Sequence, residues 1–197
     1  MSAQAENYPA RLEIDYPEEL NRLTTLLRII WVIPILLILI LLSGGEEGIG
    51  TGLALATAAM IVVRQRYPRW WFDFARELAR FEGRVTAYFA LLTDQVPSTV
   101  EEQSVHIEID YPDVEQDLNR WLPLVKWLLA IPHYIVLIIL GVLAVIAVIV
   151  AWFAILFTGR FPRGLFDFVV GVMRWALRVQ AYAFLLVTDR YPPFSLD

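Results

Sequence analysis

The chain contains two copies of one unit, and this duplication limits the folds that it can adopt. Three motifs of the first half return in the second half: Ile14–Pro17 as Ile109–Pro112, Arg66–Arg69 as Arg160–Arg163, and Thr93–Asp94 as Thr188–Asp189. Each motif returns after 94 or 95 residues, whereas solenoid repeats have periods of roughly 20–50 residues. We therefore expect two repeats, at residues 1–97 and 105–197 with a linker at 98–104, related by a pseudo-twofold axis.

The apolar residues are too numerous and too concentrated for an ordinary soluble domain. Of the 197 residues, 58% are hydrophobic, compared with roughly half in soluble globular proteins. They form three runs without Asp, Glu, Lys or Arg, at residues 29–42, 49–63 and 128–158. Runs of this length are typical of membrane segments. The sequence thus predicts an integral membrane protein, and the lack of a signal-peptide pattern predicts that its N-terminus is retained.

Charge and cysteine content exclude several functions. The chain has no cysteine, which excludes disulfides, iron–sulfur clusters, thiolate zinc sites and a catalytic thiol. Its net charge of −5 argues against nucleic acid as a partner. The sequence has no nucleophile elbow, phosphate-binding loop or dinucleotide fingerprint, and the acidic residues at 108–117 lack the glycine and final glutamate of a calcium loop. We expect no enzymatic activity, no catalytic residue, no cofactor and no metal.

Each repeat opens with alternating apolar and charged residues, at Ala10–Tyr16 and at Val105–Tyr111. A period of two predicts a short strand. Because a lone strand is unstable in water, we expect the two strands to pair across the pseudo-twofold axis; pairing with another polar tail is the alternative. A helix follows each strand and contains a second proline, Pro34 or Pro132, at which we expect both helices to kink alike.

The apolar part of each repeat is predicted to form a transmembrane hairpin, at about 23–64 and about 121–158. In repeat 1, the polar, glycine-rich residues 43–48 separate two apolar runs. In repeat 2, about thirty apolar residues contain only Gly141 near their middle, which fits either one helix of about 45 Å or two short helices. The loop of repeat 1 favours the hairpin in both repeats. Small residues at helical spacing, such as Ala147 and Ala151, favour close helix packing and association in lipid.

An amphipathic helix is predicted after each hairpin, at about 70–92 and about 164–187, with arginines every fourth residue on one face. These arginines are candidate contacts for anionic lipid headgroups: Arg76, Arg80, Arg84, Arg174 and Arg178. Such a stripe is usually a solvated polar face, but the neighbouring tryptophans favour lipid contact. We expect both helices to lie in the membrane interface. A third crossing with a buried arginine stripe is the alternative.

Positive residues, including Arg28 and Lys126, flank both ends of each apolar hairpin. The positive-inside rule then places both termini and both polar flanks in the cytoplasm. The predicted fold class is an all-α membrane protein with two parallel repeats, four transmembrane helices and a minor β element on the cytoplasmic side. If the arginine helices also crossed, the repeats would be inverted and the flank at Lys126 would face outward, against the rule.

A few polar residues are candidates for internal contacts. We expect Asp15 and Asp110 to form structural ion pairs with Arg69, Arg163 or the arginine helices, which would hold the strands at the interface. His133 lies inside an uncharged run, where an ionisable residue is a functional candidate by default. Repeat 1 has no histidine at the matching position. We therefore favour a neutral histidine that is hydrogen-bonded to a carbonyl of a neighbouring helix, near the expected kink.

Three segments of repeat 2 resemble a bacterial membrane-protein family that is known only as a domain of unknown function. These segments are TGRFPRGLFDF at 158–168, RW at 174–175 and TDRYPPF at 188–194. The resemblance covers nearly all of repeat 2 and, more loosely, repeat 1, where Trp70–Trp71 replace glycine and leucine. It implies a multi-pass protein of the bacterial inner membrane and brings no catalytic residues with it.

These patterns favour a non-enzymatic membrane scaffold, a membrane-shaping protein or an accessory subunit. We expect membrane lipids as partners, together with other copies of the chain in a homo-oligomer or the subunits of a membrane complex. The alternative is a small lipid- or anion-binding or transport protein. Its site would lie at the pseudo-twofold axis and would use Arg174, Arg178 and His133.

Overall fold

Each repeat consists of one short strand followed by helices, in a computed structural model that describes residues 7–43, 48–98 and 101–197. Repeat 1 contains β1 (Ala10–Ile14), α1 (Arg22–Ser43), α2 (Gly48–Arg64) and α3 (Arg69–Phe89). Repeat 2 contains β2 (Val105–Ile109), a 3-10 turn (Leu122–Leu124), α4 (Lys126–Leu129), α5 (Ile131–Thr158) and α6 (Arg163–Ala183). The protein is mostly helical, and most of the loop predicted in repeat 1 lies outside the described residues.

The two predicted strands pair with each other, as expected. β1 and β2 are antiparallel, with Leu12 opposite Ile107 at the centre and Ala10 opposite Ile109 near one end. Leu12 and Ile107 are equivalent positions in the two repeats, so the pseudo-twofold axis passes through this central pair. The apolar side chains of the ribbon are mainly buried on one face, and its charged side chains lie on the other.

Each strand packs on the arginine-bearing helix of the other repeat. β1 contacts α6, and β2 contacts α3; these four elements are called the sheet layer. Arg174 donates a hydrogen bond from Nε to the carbonyl of Leu12 at 3.0 Å, and Arg80 does the same to Ile107 at 2.9 Å. A single buried core includes residues of both repeats. The repeats are therefore interlocked and do not form two separate domains.

The turns that end the apolar segments are tied to the strands in the same reciprocal way. The hydroxyl of Tyr16, just after β1, donates to the carbonyl of Phe161 at 2.5 Å. The hydroxyl of Tyr111, just after β2, donates to the carbonyl of Tyr67 at 2.5 Å. Tyr67 follows α2 and Phe161 follows α5. Each apolar segment therefore ends beside a strand.

The prediction of a hairpin in repeat 2 is wrong, because α5 is one continuous helix of 28 residues, about 42 Å long. Gly141 lies inside it, and a Cβ atom at this position would meet no described atom within 4 Å. A glycine inside a helix is unfavourable by about 1 kcal/mol, whereas each backbone group left unpaired in an apolar environment costs several kcal/mol. Repeat 2 lacks polar turn residues such as those at 43–48, so the helix continues.

The two prolines also have different positions. Pro34 lies inside α1, whereas Pro132 lies in the first turn of α5. Proline is well accommodated at a helix start, because its missing N–H would have no helical partner there. The prediction of matching kinks is therefore wrong. In repeat 2 the chain changes direction through the 3-10 turn and α4 before α5 begins.

The segments that flank α5 are linked to the two ends of β1. At the C-terminal end, Tyr16 binds the turn that follows α5. At the N-terminal end, Lys126 of α4 forms an ion pair with Asp189. The next residue, Arg190, accepts a hydrogen bond at 3.1 Å from Tyr8, which lies just before β1. α5 therefore runs alongside the sheet layer and antiparallel to α6.

α5 is the one helix within residues 7–43, 48–98 and 101–197 that is long and apolar enough to span a membrane. Only 11% of its most apolar window is buried. Its exposed apolar side chains form a belt along the helix, here called the α5 belt: Ile131, Ile135, Ile138, Ile139, Val142, Leu143, Val145, Ile146, Ile149, Val150, Phe153 and Phe157. Soluble monomers rarely expose contiguous apolar surface on this scale. The prediction of four transmembrane helices is not confirmed.

The two arginine helices differ in their packing. α6 lies against both β1 and α5 and buries residues on several faces, among them Val169, Trp175 and Tyr182. α3 contacts β2 and α1 and leaves Trp70 and Phe89 exposed. A helix that is covered on two sides has little free apolar surface for lipid. Of the two helices predicted to lie in the interface, α3 keeps the exposed apolar residues that such a helix needs.

Residues 195–196 pack closely against α6 at Gly171. A Cβ atom on Gly171 would lie 2.7 Å from the carbonyl oxygen of Leu196. Arg174 donates to the same carbonyl at 3.3 Å, and Arg178 donates to that of Ser195 at 2.6 Å. Glycine is required at this position because the backbone of another segment lies directly against the helix.

We expect Gly171→Ala to lower stability, although alanine favours a helix by about 1 kcal/mol. The new methyl group overlaps the backbone of Leu196, and overpacking of this kind costs about 1–3 kcal/mol. Gly164→Ala in the same helix is the control, because a Cβ there meets no described atom within 4 Å. Thermal unfolding in detergent should show a lower midpoint for Gly171→Ala only. Equal midpoints for the two variants would contradict this packing.

Candidate functional site

A buried cation lies near the start of α1. Arg28 is only 2% exposed, and its Nη2 forms an ion pair with Asp94. Its Nη1 donates to the carbonyls of Tyr88 and Thr93, each at 2.8 Å. Asp94 also accepts a hydrogen bond at 2.7 Å from the backbone N–H of Asn21. Both charges are therefore compensated, which is the condition for burying them.

The same arrangement recurs around Lys126 in repeat 2. This side chain is 0% exposed, and its Nζ lies 2.7 Å from a carboxylate oxygen of Asp189 and 2.8 Å from the carbonyl oxygen of Thr188. Asp189 accepts a hydrogen bond at 2.5 Å from the backbone N–H of Asn119. Burial lowers the pKa of the Lys126 ammonium, and its hydrogen bond with Asp189 opposes that shift. This pair and the pair Arg28–Asp94 are the two polar clamps.

A strained turn positions each clamp carboxylate. Leu91 has a φ of 64° and Leu186 a φ of 56°, in the left-handed region that residues with a side chain rarely adopt. Such strain costs of order 1–3 kcal/mol and persists only where the surroundings fix it. Both leucine side chains are buried, which offsets that cost. The turns bring the Thr-Asp motifs back to the beginnings of the apolar segments.

Sequence reasoning placed Arg28 and Lys126 among the positive flanks and missed their acidic partners. The signal was present, because a cation and a carboxylate recur at equivalent positions in the two repeats. By itself, the repeated Thr-Asp motif indicates only the period of the repeats. A repeated pair of opposite charges on the two sides of an apolar segment favours a buried ion pair over two unrelated surface charges.

Most of the candidate lipid-binding arginines hold backbone segments of the protein itself. Arg80 and Arg174 bind the strand carbonyls described above. Arg84 donates to the carbonyl of Ser98 at 2.5 Å, and Arg178 donates to residue 195. Burial lowers the pKa of the Arg178 guanidinium, and the charge of Arg174 adds to the shift. These four arginines therefore tie the strands and the segments after the helices to α3 and α6.

The fifth candidate, Arg76, lies near the more exposed start of α3. Its guanidinium is 3.3 Å from a carboxylate oxygen of Asp73 and 3.1 Å from one of Glu77. Exposed pairs of this kind contribute only about 0.2–1 kcal/mol. Since every member of the stripes has a partner within the chain, their first role is structural, and contact with lipid headgroups stays a prediction.

Asp15 and Asp110 directly follow the two strands, and each contacts a side chain of the opposite strand. A carboxylate oxygen of Asp110 lies 2.9 Å from Nη2 of Arg11, which also lies 3.1 Å from Glu108. A carboxylate oxygen of Asp15 lies 3.4 Å from Nε2 of His106. The antiparallel register places Arg11 opposite Glu108. The register therefore supplies these carboxylates with partners on the exposed face of the ribbon.

Arg69 and Arg163, the predicted partners of these aspartates, stack on tyrosines. The guanidinium carbon of Arg69 lies 4.4 Å from the ring centroid of Tyr111, and that of Arg163 lies 4.0 Å from the centroid of Tyr16. Cation–π contacts of this kind contribute about 0.5–2 kcal/mol. The predicted ion pairs between the aspartates and these two arginines therefore do not form in the described part of the chain.

His133 belongs to a buried aromatic cluster and is 0% exposed. The indole of Trp175 donates to its Nδ1 at 3.1 Å. The ring stacks on Phe194 with centroids 4.0 Å apart and lies 4.7 Å from the ring of Tyr191. A nitrogen that accepts a hydrogen bond carries no proton, so this network assigns the neutral ring with its proton on Nε2. The geometry agrees with a structural role, but the predicted partner is wrong: an indole donates to the ring where a helix carbonyl was expected, and Nε2 has no partner among the described residues.

A groove lies between the two repeats and is bounded by α1 and α3 on one side and by α5 and α6 on the other. Its volume is about 680 Å³, within the roughly 300–1,000 Å³ of small-molecule sites. Most of its wall is apolar: Leu137, Gly141, Ala144, Val148, Val169 and Met173. This cavity is called the inter-repeat groove.

Two polar side chains of α1 also line the inter-repeat groove. They are Thr25 and Arg28, which are 1% and 2% exposed. The hydroxyl oxygen of Thr25 and Nε of Arg28 have no hydrogen-bond partner among the described residues. A buried donor without a partner costs about 1–3 kcal/mol. The groove is thus an apolar cavity whose α1 side is formed by two residues that each carry an unpaired, buried donor atom.

The fold and the groove define a class of duplicated, mostly helical proteins with interlocked repeats. The chain belongs to the family described as a domain of unknown function, DUF4389, whose model matches residues 22–101 and 121–195. The two matches fall on the two repeats, each beginning after the strand and extending past the clamp carboxylate. The resemblance seen in the sequence is therefore confirmed. No curated protein and no solved structure matches the chain.

We expect Asp189→Asn to lower the free energy of unfolding by about 3–5 kcal/mol, because it leaves the Lys126 ammonium buried without a counter-charge. The double variant Lys126→Met/Asp189→Asn also removes the buried cation and should recover much of this loss. Asp73→Asn, in an exposed pair, is the control and should cost less than about 1 kcal/mol. Denaturant titration in detergent micelles measures all three variants. Equal costs for Asp189→Asn and Asp73→Asn would exclude a stabilising role for the clamp.

Proposed function

We propose that the protein is a non-enzymatic scaffold of the bacterial inner membrane, which shapes the bilayer or serves as an accessory subunit. The observation that carries this proposal is the α5 belt on a helix held to the sheet layer at both ends. α5 is long enough to cross a bilayer, but its end contacts favour a position along the sheet layer. Burying the belt in the adjacent leaflet contributes about 25 cal/mol for each Å² of apolar surface.

The charge of the sheet supports one orientation. Glu13, Glu108 and Asp110 are exposed on the face of the ribbon that points away from the core. The cytoplasmic leaflet carries anionic lipids, which repel such a face. We therefore place the ribbon and both termini on the far side of α3 and α6 from the lipid, with the acidic face directed away from the membrane. The positive flanks of the apolar segments favour the cytoplasm for this side of the protein.

In this proposal the α1–α2 hairpin supplies the crossings, which makes the protein multi-pass; its apolar runs at 29–42 and 49–63 are shorter than α5, and the bilayer thins locally to match them. α1 has 22 residues, about 33 Å of helix, and it exposes Leu26, Ile30 and Ile33. Both ends of the hairpin return to the sheet layer, as parallel repeats require. The hairpin anchors the protein, while α5 enters one leaflet only. A helix inserted into a single leaflet adds area on that side and favours curvature.

Lateral assembly would use surfaces other than the small-residue faces. Ala147 and Ala151 of α5 are 6% and 0% exposed, and Thr57 and Ala58 of α2 are also buried. These faces pack within the chain, so they are occupied before any second copy arrives. The α5 belt and the acidic face of the ribbon remain as surfaces for a homo-oligomer or for a partner subunit.

The alternative of a transport site at the pseudo-twofold axis has less support. Arg174 and Arg178 bind a strand and residues 195–196, and His133 is enclosed by aromatic rings. In the described part of the chain, none of the three lines the inter-repeat groove. The side chains suggested for an anion site therefore hold a strand and residues 195–196 or lie in an aromatic cluster, and they do not face this groove.

We expect the reconstituted protein to convert liposomes into tubules or smaller vesicles as the protein-to-lipid ratio rises. Val142→Lys places a charge on the α5 belt, where lysine in hydrocarbon costs about 2.5–3.5 kcal/mol, and should weaken this effect strongly. Glu102→Lys introduces the same side chain at an exposed position outside the α5 belt and the ribbon, and it should leave the effect intact. Electron microscopy and light scattering measure vesicle shape and size. Vesicles left unchanged by a monodisperse wild-type protein would count against the scaffold.

A further inference from the structure

We propose that the inter-repeat groove binds one acyl chain of a diacyl membrane lipid, whose ester carbonyl accepts hydrogen bonds from Arg28 and Thr25. The proposal assigns a ligand and a polar contact, and so goes beyond the scaffold role. It rests on the proposed position of α5 only for the route by which the lipid enters.

The walls of the groove suit an acyl chain. They are apolar over most of their surface, and the volume of about 680 Å³ is that of a small-molecule site. Val145, Ile149 and Phe153 line the groove and also belong to the α5 belt. The groove therefore opens onto the surface that we place in the leaflet. A lipid chain can enter from the bilayer without passing through water.

The two unpaired donors suit a carbonyl oxygen. Nε of Arg28 is a donor only, and the hydroxyl of Thr25 can donate as well. Both are buried and lack a partner among the described residues. A carbonyl oxygen has two lone pairs and can accept from both groups. Both donor atoms are closed to solvent in the structure, so the Thr25 and Arg28 side chains must shift slightly towards the groove for one carbonyl oxygen to accept from both, while the chain fills the apolar part of the groove.

The charge balance around Arg28 determines whether we expect a charged or a neutral oxygen on the ligand. Arg28 is already neutralised by Asp94 in the polar clamp, so the pair has no net charge to offer an anion. A carboxylate or phosphate brought into this apolar groove would lose its hydration without a free counter-charge. An ester carbonyl is neutral and needs only hydrogen-bond donors. The site therefore favours the ester of a diacyl lipid over a free fatty acid.

Repeat 2 provides an internal comparison. The residues equivalent to Thr25 and Arg28 are Pro123 and Lys126. Proline has no hydroxyl group, and the Lys126 ammonium has no counterpart of the arginine Nε while it binds Asp189 and the backbone. The clamp is thus preserved in both repeats, whereas the additional donors occur in repeat 1 only. Thr25 and the Nε group of Arg28 are not needed to form a clamp.

Native mass spectrometry of the full chain in detergent, with defined lipids added, tests the proposal. The probes are dioleoyl phosphatidylethanolamine, its dialkyl ether analogue without ester carbonyls, and oleic acid. We expect one retained diacyl lipid per chain. The ether analogue should bind about five- to tenfold more weakly, as for the loss of one or two hydrogen bonds, and oleic acid should bind more weakly still.

Three variants separate the polar contact from the apolar cavity. Arg28→Lys keeps the cation of the clamp, as repeat 2 does, and removes Nε; Thr25→Val removes a hydroxyl that has no partner among the described residues. Each variant should weaken the binding of the diacyl lipid about fivefold and leave the binding of the ether analogue unchanged. Gly141→Phe fills the groove where a Cβ meets no described atom within 4 Å, and it should abolish retention. Thermal unfolding of the variants in the absence of lipid shows that they fold.

The outcomes are distinct from those of the scaffold test. Equal retention of ester and ether lipids would overturn the carbonyl contact, and tighter binding of oleic acid would overturn the choice of a neutral ligand. Retention that is unchanged in Gly141→Phe would show that the lipid is bound elsewhere on the surface. Wild-type dimers without retained lipid that become monomers in Gly141→Phe would overturn the proposal and show that a second copy of the chain fills the groove. Vesicle remodelling without a retained lipid would overturn this proposal and leave the scaffold role in place.

Discussion

The pairing of β1 with β2 is the contact on which the rest of the structure depends. The strands come from different repeats, so their pairing brings each one against the arginine helix of the other repeat. Arg80 and Arg174 then satisfy the carbonyls at the strand centres, and Tyr16 and Tyr111 bind the turns that end the apolar segments. Loss of the pairing would leave these groups without partners, at about 1–3 kcal/mol for each buried one.

This interlocking also decides where the apolar segments can go. Each begins at a polar clamp and ends at a turn bound by a tyrosine, and both points lie at the ends of a strand. Repeat 1 meets this constraint with the α1–α2 hairpin, and repeat 2 meets it with one straight helix beside α6. The pseudo-twofold symmetry therefore holds in the sheet layer and is lost among the apolar helices. The inter-repeat groove and the α5 belt both arise where the repeats differ.

The sequence predicted the sheet layer well because the two repeats share its motifs. Alternation identified the strands, and the position of the repeats suggested their pairing. The partners of Arg28 and Lys126 were not predicted, because 66 residues separate Arg28 from Asp94 and one sequence does not show which distant charges meet. The α5 helix was predicted wrongly because the loop at 43–48 was transferred to repeat 2, where Gly141 stands without polar neighbours. The inter-repeat groove arises because repeat 1 has a hairpin where repeat 2 has one helix. No motif shared by the repeats therefore predicts the groove.

The central claim is that α5 lies along the sheet layer within one leaflet and does not cross the bilayer. Spin labels at Ile135, Val142 and Ile149 test it directly, since these exposed residues follow one face of α5 at intervals of about 10 Å. Their depth in reconstituted bilayers can be measured from collisions with oxygen and with a water-soluble nickel complex. We predict the same depth for all three labels. A depth that changes steadily by about 10 Å from each label to the next would show that α5 crosses the bilayer and would contradict the claim.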